Sequence, residues 1–292
     1  MTVAIPHSEM QKALTRFKDL PTLPDVVARV MQIVSNPLTT AEDLNQVISL
    51  DQALTFKVLR LANSAYYGFP KEITNITQAV TILGFNTIRN LALSVSVHKM
   101  LFVETDRGLF SYRDFWKHCV AVAVCSRVLA RRVGYKSEEN AFTAGLLHDI
   151  GKSMLERVDH AAFVACIQAS RDSKRALWEL EQERLGVDHA ALGGRLAELW
   201  NLPHDLRQAI EKHTNPEGVS PDPLVAVVHA ADILCRQQGL GSDGDFGPAE
   251  IAPGALRLLR LMDERAKNEV LTELERRLKE AEEFLKFSSK GA

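Results

Sequence analysis

The stretch of sequence that decides the fold lies in the middle of the chain, where residues 144–152 read AGLLHDIGK. Apolar residues on both sides of His148 and Asp149 predict that this pair is buried. A buried imidazole and carboxylate must form hydrogen bonds, pair with a charge or bind a metal, because an unpaired buried charge is very costly. Four more polar residues fall on the apolar faces of other predicted helices: His118, His189, His213 and Asp232.

Length and composition are those of an ordinary globular protein with a sizeable core. The chain has 292 residues, of which 46% are hydrophobic and 25% charged, and its net charge is -2. Lysines and arginines are scattered, so we expect no nucleic-acid partner and no binding to a membrane. No secretory signal begins the sequence and no apolar run is long enough to span a bilayer. We therefore expect a cytoplasmic protein.

The cysteines predict no disulfide framework and no thiolate metal site. They lie within apolar helical stretches, without the close spacing of a zinc ribbon. We interpret all four as reduced core residues: Cys119, Cys125, Cys166 and Cys235.

The spacing of apolar residues is helical along the whole chain, and no run alternates in the manner of a β-strand. We therefore predict an all-α fold. Glycines at 84 and 186 predict helix ends. Polar residues before apolar stretches predict helix starts: Thr40 with Asp43, Asp51, Thr77, Asn86, Ser111 with Asp114, Ser137, Ser173 and Asp188.

We divide the chain into an N-terminal helical half (residues 1–105), a histidine-bearing half (106–238) and a linker with a C-terminal helix (239–292). The boundary at residues 103–109 contains no flexible linker, so the halves should pack together. The polar, glycine-rich residues 239–245 are expected to be exposed and mobile. The charged C-terminal segment, with its apolar stripe from Leu256 through Met262 to Leu278, is predicted to dock on the chain or form a homodimer.

An aromatic loop at residues 63–70 reads NSAYYGFP. One interpretation is a binding surface. The other, which we favour, is that Tyr66, Tyr67 and Phe69 fold back to cover the helical bundle.

The buried histidines and aspartates are a candidate metal site. A single core histidine is usually satisfied by a carbonyl group, but six such groups together favour metal ligands. Mixed nitrogen and oxygen ligands suit divalent iron, manganese, zinc or nickel better than calcium. One ion could be held by His118, His148, Asp149 and Asp232, leaving positions for a water suited to phosphoester cleavage, and His189 and His213 would extend the site toward a second ion.

Two residues of the central stretch are candidate catalytic groups. Asp149 is a ligand whose loss should abolish any hydrolysis. Lys152, one helical turn after His148, either neutralises a phosphate oxygen or is an exposed lysine at a helix end. His229 lies one turn before Asp232 and is a candidate hydrogen-bond partner of it.

The order His, His-Asp, Asp resembles the HD superfamily of metal-dependent phosphohydrolases, and the wider chain resembles the HDOD family of bacterial signalling-output domains. The resemblance covers residues 20–232. It rests on LPTLP at 20–24, LRLANSAYYG at 59–68, AVTILG at 79–84, GLLHDIGK at 145–152, GVDH at 186–189 and WNLP at 200–203.

The resemblance implies an N-terminal helical bundle packed on an HD-type helical bundle. His118, His148, Asp149 and Asp232 match the HD ligand set, and His189 and His213 match the additional histidines of two-metal relatives. Residues 213–216 read HTNP, whereas HD-GYP relatives that cleave cyclic dinucleotides carry paired histidines and a Gly-Tyr-Pro element. That departure weakens the match to a full two-metal centre.

Two functions stay open, because HDOD members commonly lack part of the metal site and act as regulators. The first is a regulatory protein that communicates with a signalling partner. The second is a phosphohydrolase acting on a nucleotide or another phosphorylated small molecule.

Overall fold

The computed structural model describes residues 21–101, 109–216 and 222–286. These residues form helices joined by loops and contain no strand, so the predicted all-α fold is confirmed. Within the described ranges, every helix is too short or too polar to cross a membrane.

Residues 21–101 of the N-terminal half form a bundle of five helices, several of whose starts are set by local hydrogen bonds. Thr40 and Asp43 form the predicted capping box, and Asp51 caps the next helix. The fourth helix begins at Ile76, one residue before the predicted start at Thr77, and Asn75 caps it. The predicted cap Asn86 lies inside the fifth helix. The helices are α1 (Asp25–Val34), α2 (Ala41–Ile48), α3 (Gln52–Ala62), α4 (Ile76–Leu83) and α5 (Phe85–Leu101).

Where the second half is described, at residues 109–216 and 222–238, it contains eight helices. The predicted caps Ser111, Ser137 and Asp188 are confirmed. Ser173 was expected to start a helix and instead ends one, because Lys174 turns the chain with a φ of 58°. The helices are α6 (Tyr112–Val133), α7 (Glu138–Leu147), α8 (Ile150–Val158), α9 (His160–Ser173), α10 (Leu177–Leu185), α11 (His189–Leu199), α12 (His204–Lys212) and α13 (Pro223–Gln237).

The C-terminal segment docks on the second half. It forms α14 (Pro253–Leu258), α15 (Glu264–Glu280) and α16 (Glu282–Leu285), and the last two pack against α6. The Trp116 indole N–H donates to the Phe284 carbonyl at 2.8 Å. Docking is confirmed, and the homodimer stays a prediction. Met262 is 66% exposed, so its assignment to the apolar stripe is wrong.

The two halves share one hydrophobic core, as predicted. Helix α5 packs against α7 and α8, which belong to the second half. Tyr66 folds back as expected, with its ring 5.4 Å from Phe142 and 5.6 Å from Phe284, whereas Phe69 is exposed. The proposed boundary between residues 105 and 106 lies outside the described residues and stays a prediction.

Candidate metal centre

The structure brings all six predicted side chains together in the second half, and each is buried. They come from separate elements of the helical bundle. His118 lies on α6, His148 and Asp149 at the junction of α7 and α8, His189 at the start of α11, His213 directly after α12 and Asp232 on α13.

The junction between α7 and α8 orients the side chains of His148 and Asp149. Asp149 leaves helical geometry, with φ -99° and ψ 13°, so the two helices meet at an angle. His148 Nδ1 lies 2.8 Å from the carbonyl oxygen of Gly145. Because a carbonyl only accepts, Nδ1 carries the proton and Nε2 presents a lone pair to the site.

The same arrangement orients two other histidines. Nδ1 of His213 donates to the Ile210 carbonyl at 2.9 Å, and Nδ1 of His189 lies 2.6 Å from Glu181 Oε2. Both rings therefore turn Nε2 toward the same interior point. A metal-ligating histidine usually donates a hydrogen bond from the ring nitrogen that does not bind the metal, and this bond fixes the orientation of the ring.

Asp149 faces two groups of histidines, one with each carboxylate oxygen. Its Oδ2 lies 3.3 Å from His148 Nε2 and 4.0 Å from His118 Nε2. Its Oδ1 lies 3.3 Å from His189 Nε2 and 3.4 Å from His213 Nε2. The carboxylate is therefore placed to bridge two positions.

Asp232 completes the first group. Its Oδ1 lies 3.1 Å from His118 Nε2 and 3.8 Å from His148 Nε2. Ligand atoms that share one ion at bond lengths near 2.0–2.2 Å must lie within about 4.4 Å of each other. The six distances given for Asp149 and Asp232 all meet that limit.

Four buried atoms of the cluster have no partner with hydrogen-bond geometry among the described residues: His118 Nε2, His148 Nε2, Asp149 Oδ1 and Asp232 Oδ1. Buried polar atoms are nearly always satisfied. Each of the four lies within 3.3 Å of a histidine nitrogen or carboxylate oxygen of the cluster without hydrogen-bond geometry, which is the arrangement of ligands around a shared cation. The donor set thus fits a divalent ion.

Electrostatics keep the Asp149 carboxylate charged. Burial raises the pKa of Asp149, but His148 and Lys152 outweigh it and hold that pKa well below its usual range. Burial lowers the pKa of His189 to about 4, so its ring is neutral at pH 7 and able to ligate. Burial also raises the pKa of Glu181 to about 8.

Lys152 is not the exposed lysine that one interpretation expected. It is 1% exposed, and its Nζ donates to Asp149 Oδ2 at 2.7 Å and to Asp243 Oδ2 at 2.9 Å. Its predicted role toward phosphate is untested. In this structure its ammonium group neutralises two buried carboxylates.

Asp243 is the site residue that the sequence reasoning missed. It belongs to the linker 239–245, whose predicted exposure is wrong at this position because Asp243 and Gly244 are buried. Gly241 makes the approach feasible: with φ 78° it runs against α6, where a Cβ would lie 2.4 Å from the His118 backbone nitrogen. Asp243 thereby forms a third potential ligand group with His118 and Asp232.

The sequence reasoning also missed Glu181, although the spacing of residues around it predicts its burial. It follows Leu177 by one helical turn and so shares the buried face of α10. His229, by contrast, does not bond to Asp232. Its Nδ1 lies 2.6 Å from the His213 carbonyl oxygen and its Nε2 accepts from the Ala252 backbone N–H.

A close contact between α8 and α11 places His189 near Asp149. Gly151 on α8 packs against the start of α11, where an added Cβ would lie 2.0 Å from the His189 carbonyl oxygen. Any side chain at this position would push α11 away. Gly151 in the central stretch therefore sets the distance between His189 and Asp149.

The cluster opens into a cleft of about 70 Å³, lined by Asp149, Lys152, Trp178, Asp243 and Glu250 among others. The cleft is polar and is partly roofed by the linker. Its size accommodates a few waters or a small anion.

Comparison with known proteins identifies the family and the fold of the chain. The sequence profile of the HDOD domain matches residues 20–216, about two thirds of the chain. The chain belongs to the HDOD family. The profile match ends before Asp232.

The chain is similar to an uncharacterized protein from Treponema pallidum (strain Nichols), with 26% identity over 255 residues. The match covers 86% of this HDOD chain and 48% of that protein, so the chain spans about half the length of its curated relative.

Solved structures share the fold over nearly the whole chain. An HDOD domain protein with unknown function from Geobacter sulfurreducens has a TM-score of 0.75 and 25% identity, covering 96% of this chain and 97% of that one. A candidate phosphohydrolase from Shewanella amazonensis SB2B has a TM-score of 0.73 and 28% identity, covering 94% and 97%. A candidate signal transduction protein from Marinobacter aquaeolei VT8, at 23% identity and TM-score 0.77, covers 97% and 65% and shows the fold alone.

Proposed function

We propose that this HDOD chain is a signalling protein whose second half binds one or two divalent metal ions. The observation that supports the proposal is the set of four buried, converging ligand atoms without hydrogen-bond partners. His118, His148, Asp149 and Asp232 would hold the first ion, and Asp149, His189 and His213 the second. A bound ion would supply the positive charge that these carboxylates face and a Lewis acid for a ligand in the cleft.

The shape of the cleft favours regulation over turnover. Small-molecule sites usually enclose roughly 300–1,000 Å³, whereas this cleft is about 70 Å³. Lys152 is already engaged by two carboxylates, and the linker that carries Asp243 covers part of the opening. The partner of such a module would be another signalling protein that reads the metal-loaded state.

The second candidate is a metal-dependent phosphohydrolase, favoured by the completeness of the ligand set. Lys152 lies beside Asp149 at the cleft, where release from Asp243 would free its ammonium group for a phosphate oxygen. Asp149 would hold the reacting centre in place. The similarity to the candidate phosphohydrolase from Shewanella supports the same class.

Metal content tests the proposal directly. Protein purified without added ions is analysed by elemental mass spectrometry, as wild type, Asp232→Asn and the control Asp172→Asn, whose carboxylate is exposed on α9. We expect at least one equivalent of iron, manganese, zinc or nickel in wild type and the control, and a severalfold loss in Asp232→Asn. Equal metal content in all three proteins contradicts the site.

A hydrolysis panel separates the two candidates. Nucleotides and generic phosphodiesters are assayed with manganese, iron or nickel against wild type and Asp149→Ala. We expect no turnover by metal-loaded wild type. Robust hydrolysis that Asp149→Ala abolishes would establish the phosphohydrolase instead.

A further inference from the structure

A second and larger cavity, of about 300 Å³, lies between α6 and α15. Three parts of the chain meet there: Tyr66 from the aromatic loop of the N-terminal half, α6 from the second half, and α15 from the C-terminal segment. Nine residues separate His118 from Arg127 along α6, which is about 13.5 Å of helical rise. The cavity is therefore distinct from the metal centre.

The walls of this cavity are apolar, and most of its rim is charge-balanced. Val124, Val128 and Val270 line it together with Tyr66. On the rim, carboxylates pair with three arginines: Glu269 with Arg132 at 3.1 Å, Glu273 with Arg277 at 2.9 Å and Glu138 with Arg131 at 2.7 Å. The deeper cation, Arg127, donates from Nε to Glu138 at 3.3 Å, and its Nη1 is the donor that is left to explain.

Two polar groups at the cavity have unmet hydrogen-bonding capacity. Tyr66 is 5% exposed, yet its hydroxyl has no hydrogen-bond partner among the described residues, and neither has Arg127 Nη1. The guanidinium carbon of Arg127 lies 4.8 Å from the Tyr66 ring centroid, so the two groups are neighbours. Glu139 lies 3.1 Å from Arg127 Nη1 as an ion pair, but outside hydrogen-bond geometry.

The chemistry of these two groups defines what they lack. A guanidinium only donates hydrogen bonds, and a phenol hydroxyl can accept one from it and still has its own hydrogen to donate. Both therefore require an acceptor, and a guanidinium binds carboxylate and phosphate groups most strongly. The valine walls require an apolar body of matching size.

We propose that this cavity binds a small organic anion, whose carboxylate or phosphate-type group accepts from Tyr66 and Arg127 while its apolar ring or chain packs on Val124, Val128 and Val270. Its volume falls at the lower end of small-molecule sites, roughly 300–1,000 Å³. Because all three parts of the chain contribute, a ligand here would fasten the N-terminal half and α15 to α6.

The test uses the full chain and 8-anilinonaphthalene-1-sulfonate, an aromatic anion that fluoresces in apolar surroundings. We expect saturable binding of one equivalent with an unchanged near-ultraviolet circular dichroism spectrum. The uncharged analogue N-phenyl-1-naphthylamine should bind at least tenfold more weakly. Displacement by 1-naphthoate or by 1-naphthylphosphonate, which differ in headgroup, distinguishes a carboxylate ligand from a phosphate-type ligand.

Variants locate the binding in this cavity. Tyr66→Phe removes only the hydroxyl and should weaken binding about tenfold, and Val128→Trp should abolish it by filling the space. The control Tyr135→Phe removes a hydroxyl that lies outside the cavity, where it donates to Asp205, and should bind as wild type. The proposal is overturned by an absence of saturable binding, by full binding in Val128→Trp, by equal effects of the two tyrosine variants, or by equal affinity for the uncharged analogue.

Discussion

Replacement of Lys152 by methionine should destabilise the metal-free protein strongly, because it removes the cation between two buried carboxylates. The Lys152 side chain is 2% exposed, and those of Asp149 and Asp243 are 1% and 7% exposed. Methionine retains an unbranched side chain of similar length, so little cavity forms. The change therefore isolates the loss of charge.

The magnitude follows from this burial. Removing one partner of a buried ion pair costs about 3–5 kcal/mol, because the remaining charge is left uncompensated. We expect the lower end of that range: burial lowers the pKa of His148, but Asp149 at 3.3 Å outweighs it and raises that pKa, so a protonated His148 in the metal-free protein compensates part of the charge. With a urea dependence of about 3 kcal/mol per molar, the unfolding midpoint should fall by roughly 1 M.

The assay is urea unfolding of wild type and Lys152→Met in EDTA and again in excess Mn²⁺. We expect the difference between the two proteins to shrink in Mn²⁺, because a bound ion replaces the lost charge. Lys136→Met is the matched control: its side chain is 73% exposed and 3.7 Å from Asp205, so its midpoint should stay near that of wild type. Equal midpoints for the two lysine variants in EDTA would refute the reasoning.

Three further perturbations test the site and the core. Gly151→Ala should lower the free energy of unfolding by about 3 kcal/mol or more, since its Cβ would lie 2.0 Å from the His189 carbonyl oxygen; an unchanged urea midpoint would contradict this. Glu181→Leu should lower metal affinity in equilibrium dialysis by about tenfold or more, while Glu181→Gln, which keeps an acceptor for His189, retains most of it; equal losses would argue against orientation of the ring. Burial lowers the pKa of His98 to about 4 from its usual 6.5. Because the unfolded chain then binds this proton more readily than the folded one, the protein loses stability as the pH falls from 6.5 toward 4. Between pH 7 and 5 wild type should lose about 2 kcal/mol more than His98→Phe, which keeps an aromatic contact with Trp116, and parallel unfolding curves at the two pH values would count against this.

The sequence by itself determined the helices, because their boundaries depend on interactions over a few residues. Thr40 with Asp43, Asp51 with Leu54 and Ser111 with Asp114 are caps three residues apart, and each forms as predicted. The errors at Ser173 and Asn86 arose where a cap residue lay inside or at the end of a helix. A polar residue signals a helix start only if the neighbouring backbone also leaves helical geometry there.

The residues of the candidate metal centre were also predictable from the sequence, because a charged or imidazole group on an apolar helix face needs a buried partner. That reasoning identified His118 and Asp232, which are 114 residues apart and lie 3.1 Å apart in the structure. It could not supply the distances or the bridging position of Asp149. Those depend on how α6, α8, α11 and α13 pack.

Only the tertiary structure decided the roles of Lys152 and Asp243. The composition of residues 239–245 is typical of an exposed linker. Lys152 is a residue type that is usually solvated on a helix. Lys152 and Asp243 bond across a separation of 91 residues. The contact exists because Gly241 lets the linker lie against the backbone of His118. A charged loop residue can be buried only if a partner neutralises it. When folding brings that partner from a distant part of the chain, the spacing of residues in the sequence cannot predict the burial.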